Sequence, residues 1–209
     1  MTVDRGDVTE IGLADVIEDG LSDRYYIEAT PSAHLQYEMH ETPVGLLAEL
    51  VKEVVRVEGP VHLDEVVTRL RSAWMLQRAG ARIQAAVERA VDVAERSGSI
   101  SRDGEFLFVD GEPAKLRDRR NVMSATLRKP ELLPPAELQA GIRQVINTNF
   151  GASQNEIVVT LSRLLGFKAT SSQLRDVIDQ EIAKLLVDGS VTQNGDLLVE
   201  TPSNAVPTA

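Results

Sequence analysis

Gly98-Ser99-Ile100-Ser101-Arg102-Asp103-Gly104-Glu105-Phe106-Leu107 returns in pattern, though not in identity, as Gly189-Ser190-Val191-Thr192-Gln193-Asn194-Gly195-Asp196-Leu197-Leu198. From 98 to 189 is a shift of 91 residues. Asp-Gly and Asn-Gly between short apolar runs are strong hairpin signals, since both residue types tolerate positive φ. Gly98 and Gly189 stand just ahead of each hairpin, where a helix commonly closes on a left-handed residue. Each copy therefore reads as a helix end followed by a two-stranded ribbon.

Carried upstream, the same shift lays Pro43–Val109 on Pro134–Glu200 without a gap. Few residues are identical, but the apolar positions coincide. Leu47, Val51, Val54 and Val55 meet Leu138, Ile142, Val145 and Ile146. Val66, Val67 and Leu70 meet Ile157, Val158 and Leu161, and Ile83, Val87, Val91 and Ala94 meet Leu174, Ile178, Ile182 and Leu185. Spacings of three and four put each set on one face of a helix. Pro43 opens the first helix and Gly59-Pro60 closes it. Asp64 and Asn155 lie near the start of the second helix, and Thr170-Ser171-Ser172 offers a cap for the third helix of the second copy. Three helices followed by a β-ribbon is the winged-helix plan, a relative of helix-turn-helix. The expected fold is mainly α with small β-hairpins, a tandem winged-helix repeat; a plain helical bundle with a stray hairpin is the alternative. The expected division is an acidic, partly disordered segment over 1–42, unit one over 43–109, a basic connector over 110–133, unit two over 134–200 and a disordered tail over 201–209.

Composition bounds the function. The chain has 209 residues, 43% hydrophobic and only 4% aromatic, so its cores must be aliphatic. It has no cysteine, which excludes disulfides and thiolate zinc sites and fits a reducing, cytoplasmic setting. His34, His40 and His62 are too scattered to suggest a metal site, and no cofactor is expected. The N-terminus has no apolar run of a signal peptide, and no stretch approaches a membrane span. The net charge is −10, and most of it sits in residues 1–42, which carry ten acids against Arg5 and Arg24. Residues 110–133 carry six bases against four acids. An acidic chain opposes tight non-specific DNA binding, so any DNA contact must come from a local basic face and be weak.

One such face is visible. Arg82, Arg89 and Arg96 recur at spacings of seven on the third helix of unit one, nearly two turns apart. Arg78 precedes them and Arg102 lies on the hairpin. In DNA-binding winged helices the third helix enters the major groove and the wing touches the backbone or minor groove. These five arginines are the candidate DNA-binding residues, with Gly80 permitting close approach. The bland alternative is a solvated face whose arginines pair with Glu88, Asp92 and Glu95, each pair contributing only about 0.3–0.5 kcal/mol. Unit two has the poorer case, because Arg175 and Lys184 stand among Asp176, Asp179, Glu181 and Asp188; it reads as a surface that packs on another domain. Connector residues Arg117, Arg119 and Arg120 read as a solvated linker, or else as a clamp on a nucleic-acid backbone. His62 reads as a cap or core histidine and Trp74 as core. Glu65 and Glu156 read as first-turn acids favoured by the helix dipole. No nucleophile–base pair is visible, so no enzymatic activity is expected. Asp15-Val16-Ile17 and Tyr25-Tyr26-Ile27 read as short strands or helices lying on unit one.

The runs Glu58-Gly59-Pro60-Val61-His62, Arg78-Ala79-Gly80-Ala81-Arg82-Ile83 and Gly104-Glu105-Phe106-Leu107 resemble unit one of a bacterial C-terminal domain of unknown function, and Leu164-Leu165-Gly166-Phe167 resembles its unit two. That domain sits at the tail of very large proteins related to superfamily-I DNA helicases, which often also carry an endonuclease-like domain. The resemblance spans roughly Val44 to Leu198. It implies an accessory role beside a helicase or nuclease, in DNA transactions or defence, and brings no catalytic residues; with the arginine face, the expected partners are low-affinity duplex DNA and such a protein. This chain departs from the pattern in lacking a motor: it has no Walker A sequence. The functional expectation is a non-catalytic, DNA-binding accessory module, or else a protein-interaction module that docks on the helicase or nuclease without touching DNA.

Overall fold

The computed structural model describes residues 24–201. The reading of Asp15-Val16-Ile17, the disorder expected around it and the tail from 202 onward lie outside the described residues. Within them are six α-helices and two small antiparallel sheets, a mixed α and β architecture. In chain order these are α1 (Val44–Glu58), β1 (Val61–His62), α2 (Leu63–Ala73), α3 (Ala81–Arg96), β2 (Ser101–Asp103), β3 (Phe106–Phe108), α4 (Pro135–Thr148), α5 (Gln154–Leu164), α6 (Ser172–Val187), β4 (Val191–Asn194) and β5 (Leu197–Glu200).

The shift of 91 residues carries α2 onto α5 and α3 onto α6 at both ends, and α1 onto α4 within one residue. The local chemistry explains the shared boundaries. Helix α2 is capped by His62, whose Nδ1 accepts from the Asp64 amide at 3.1 Å, and α5 by Ser153 in a reciprocal capping box with Glu156. Ser171 caps α6 through the Leu174 amide. Helix α3 closes on Gly98 at φ +68°, with the Gly98 amide on the Glu95 carbonyl and the Ser99 amide on that of Ala94. That is a Schellman closure, and Gly189 at φ +77° takes the matching place after α6.

In the first sheet β3 lies between β1 and β2, pairing Leu107 with both Val61 and Arg102. In the second, β4 pairs with β5, and Ala152 supplies a single bridge to Leu198 where the first sheet has β1. The hairpin turns sit one residue later than Asp-Gly and Asn-Gly suggest. Asp103 still pairs with Phe106 and Asn194 with Leu197, so the two-residue loops are Gly104-Glu105 and Gly195-Asp196. Glycine is needed first in each loop because φ there is +57° and +63°.

Two separate cores result. Leu47, Val51, Val54, Val66, Leu70, Val87, Val91 and Leu107 lie in the first, and Leu138, Ile142, Ile157, Leu161, Leu174, Ile178 and Leu198 in the second. Burial of each such side chain stabilises by about 1.5–3 kcal/mol. Trp74 belongs to the first core, and its indole N–H donates to the Tyr37 carbonyl at 3.0 Å. A third, small cluster of Tyr26, Val122 and Leu127 joins the segment before α1 to the segment between β3 and α4. Tyr25 and Tyr26 run extended there: the Tyr26 amide donates to the Asp118 carbonyl, and the Asp118 amide to that of Arg24.

Candidate nucleic-acid interface

Helix α3 turns Ala86, Val87, Ala90, Val91 and Ala94 into the first core. The period of 3.6 residues then forces Arg82, Arg89 and Arg96 outward, and all three are exposed, as is Arg78 in the loop before the helix. At a rise of 1.5 Å per residue, Arg82 and Arg96 stand roughly 21 Å apart along the axis. None of these four side chains has a hydrogen bond or ion pair among the described residues. The local pairing with Glu88, Asp92 and Glu95 that the sequence allows is therefore absent for them. Gly80 is the cap residue of α3, with φ −76° and nothing within 4 Å of where a Cβ would stand, so the fold itself does not require glycine there.

Arg102 differs from the other four candidates in being paired. Its guanidinium is held by Glu88 of α3 at 2.9 Å and by Glu105 at 3.2 Å, and its Nε donates to the Gly104 carbonyl at 2.7 Å. It fastens the hairpin to α3. Burial works against its charge, but Glu88 and Glu105 outweigh that and raise its pKa further.

Sequence reasoning missed a second polar construction. Connector residues Arg117 and Arg119 are neither solvated nor displayed; both are buried. Glu137 of α4 receives Arg119 at 2.6 and 2.7 Å and Arg117 at 2.8 Å. Arg117 also donates to the carbonyls of Glu58 and Pro60, at the end of α1. The Tyr26 ring lies against both guanidiniums, 4.5 Å from Arg117 and 4.9 Å from Arg119, and its hydroxyl donates to Glu58 at 2.8 Å. Glu58, fully buried, takes Arg69 of α2 at 2.6 Å and the Ala29 amide at 2.8 Å. Arg69 further meets Glu28 and Glu65, each at 3.2 Å. Glu65 also accepts from Ser124 and Thr126 of the connector, so it is a buried network member rather than a plain first-turn acid. Glu156, its counterpart, does remain an exposed capping residue.

Charge pairing sets the protonation of this seam. Burial by itself pushes the Glu137 carboxyl up, but Arg119 and Arg117 overcome it and hold the pKa at about 2. Burial raises Glu65, and Arg69 only partly opposes it. Burial and the nearby Glu58 carboxylate push the Tyr26 hydroxyl well above its ordinary value. These groups are locked to one another, which suits fixing two halves of a chain together. One sequence signal was available: Glu58 ends α1, where an acid opposes the helix dipole and needs a cationic partner.

Among the described residues no group of three or more His, Asp or Glu side chains is placed to hold a metal ion, and no helix is long and apolar enough to cross a membrane. Compared with known proteins, residues 38–85 match the model of a family described as a protein of unknown function, DUF3320. The match takes in α1, β1, α2 and the start of α3, hence Glu58, Glu65, Arg69, Arg78 and Arg82, and it stops short of Arg89 and Arg96. No curated protein and no solved structure matches the chain significantly.

Proposed function

We propose that this chain is a non-catalytic accessory module of a DNA-helicase-related system, built from two winged-helix units, and that α3 of the first unit and the loop before it lay Arg78, Arg82, Arg89 and Arg96 on duplex DNA. The observation that carries this reading is the exposure of four unpaired guanidiniums, three along the third helix of a three-helix and hairpin unit and one in the loop before it, in a chain whose net charge is −10. Guanidinium forks suit phosphate oxygens and guanine edges alike. Arg102 serves by fixing the hairpin against α3 rather than by touching the ligand.

Fluorescence anisotropy with a labelled duplex over a salt series tests it. Four phosphate contacts give a slope of about −3.6 in log K against log salt, and Arg82→Glu with Arg89→Glu should reduce that slope by about 1.8 and weaken binding more than about tenfold near 50 mM salt. Unchanged binding by the double variant overturns the site.

A second reading has its own support. On unit two the counterparts of Arg82, Arg89 and Arg96 are Gln173, Gln180 and Val187, and Val187 is 89% exposed. Phe150 and Leu197 are also exposed, and Leu197 comes within 3.5 Å of the Cβ position of Gly151, beside Phe150. Exposed apolar side chains on unit two fit docking on a helicase or nuclease. On this reading a motor protein co-purifies with the chain and duplex affinity is negligible even at about 50 mM salt.

A further inference from the structure

The connector crosses the end of α5 in unit two, and the crossing leaves a cavity of about 550 Å³ lined by Arg120, Arg128, Arg163, Gly166, Phe167 and Lys168. Four of the six lining residues are cations and none is an acid. Residues 134–200 carry eight acids and five bases, so the cavity inverts the sign of the unit around it. Arg120 and Arg128 come from the connector, Arg163 from the last turn of α5, and Lys168 from the loop that follows. We propose that this cavity binds the phosphates of a single nucleic-acid strand, with one base resting on Phe167.

The cations differ in what already holds them. Asp118, itself buried, grips one side of Arg120 at 2.6 Å and leaves the guanidinium more than half exposed. Arg128 has only a long contact of 3.4 Å to the Val122 carbonyl. Arg163 and Lys168 are exposed and have no partner among the described residues. Two heads are thus oriented by the fold and two are free to close on an anion. The negative end of the α5 dipole is blunted, since the carbonyls of Leu161, Ser162, Arg163 and Leu165 all accept backbone hydrogen bonds. Phe167 rests one side on the second core and presents the rest to the cavity. The volume suits a nucleotide unit better than a lone phosphate, since organic-ligand sites run about 300–1,000 Å³. Phe167 is half-buried, and guanidiniums beside an accessible aromatic ring are a means by which single strands are held without sequence preference.

The inference shares its ligand class with the reading above but rests on other residues, so the two fail separately. The probe is a labelled oligonucleotide of about 12 nucleotides added to the full chain, with Arg163→Glu and Lys168→Glu combined. Both side chains are exposed, so the melting temperature should not move. Single-strand affinity should fall about tenfold near 50 mM salt, and the slope of log K against log salt should flatten by about 1.4. Phe167→Leu, which keeps the apolar packing, should weaken binding severalfold without changing the slope. Arg82→Glu with Arg89→Glu should lose the duplex while keeping single-strand affinity within about twofold. Strand binding by the Arg163 and Lys168 double variant equal to the parent overturns the proposal. So does displacement of the strand by inorganic phosphate as effective as that by unlabelled strand, or binding to phosphatidylserine vesicles with none to the strand.

Discussion

Met75 and Gly166 occupy the same place in the two halves of the molecule, one residue past the cap of α2 and of α5, and both are left-handed, at φ +56° and +87°. Each closes its helix alike, with the Met75 and Leu76 amides on the carbonyls of Ser72 and Arg71, and the Gly166 and Phe167 amides on those of Arg163 and Ser162. Their surroundings differ. Met75 is 77% exposed. At Gly166 the connector passes so close that a Cβ would stand 2.3 Å from Asp118 Oδ1 and 2.6 Å from the Arg120 amide nitrogen. One backbone turn thus faces solvent in the first half, while in the second it supports the strap that ties the halves together. The apolar pattern shared by the two halves sets their helices, and the residues outside it assign their roles.

The largest effect is expected from removing what only the second half supplies. Glu137→Ala strands two buried guanidiniums and should cost about 3–5 kcal/mol, read as a fall in the urea midpoint. Next comes acid. The carboxyl of Glu137 is depressed from the ordinary 4.5 to about 2, so its stabilisation is complete above about pH 4.5 and is lost as pH falls towards 2. That shift is worth about 3 kcal/mol. Glu65, raised by burial, works the other way, relieving a penalty as pH falls towards its ordinary value. A Glu137→Gln chain should therefore lose the acid limb in a series of thermal melts between pH 5 and about 2. Gly166→Ala adds a Cβ where backbone stands and φ is positive, and should cost about 2 kcal/mol or more by the same measurement. At the small end, Met75→Gly relieves a left-handed side chain in open space and should stabilise by no more than about 1 kcal/mol. A Gly166→Ala chain as stable as the parent would mean that the strap does not distinguish the halves.

The helices, their ends and the doubling of the core were legible because each rests on local chemistry: apolar spacing, a cap, a glycine beyond the last turn. The hairpin turns were displaced by one residue, since the glycine was right but the strands ran on through Asp103 and Asn194. The exposure of Arg82, Arg89 and Arg96 followed from helical period alone. The pairing of Arg102 did not, because Glu88 and Glu105 were equally available to other arginines. The seam was hidden for a different reason. Arg117 and Arg119 stand 20 and 18 residues before Glu137, Arg69 and Glu58 belong to separate helices, and nothing in their spacing says that they meet. Only the acid at the end of α1 pointed to an absent partner. The cationic cavity was likewise invisible, being assembled by a connector whose path no periodicity describes.

Tyr26 has a consequence for how the molecule comes into being. Its ring and hydroxyl meet Glu58, Arg117 and Arg119, groups that follow it by 32, 91 and 93 positions in the chain. During synthesis from the amino end, the first core can assemble while the guanidiniums that neutralise Glu137 still await that carboxylate. The Tyr26 ring then waits for 93 further residues before its last guanidinium partner, Arg119, is made. Closure of the seam is thereby a late event with large sequence separation, and a ribosome stalled before Glu137 would hold a nascent chain whose first half is shaped but not yet latched.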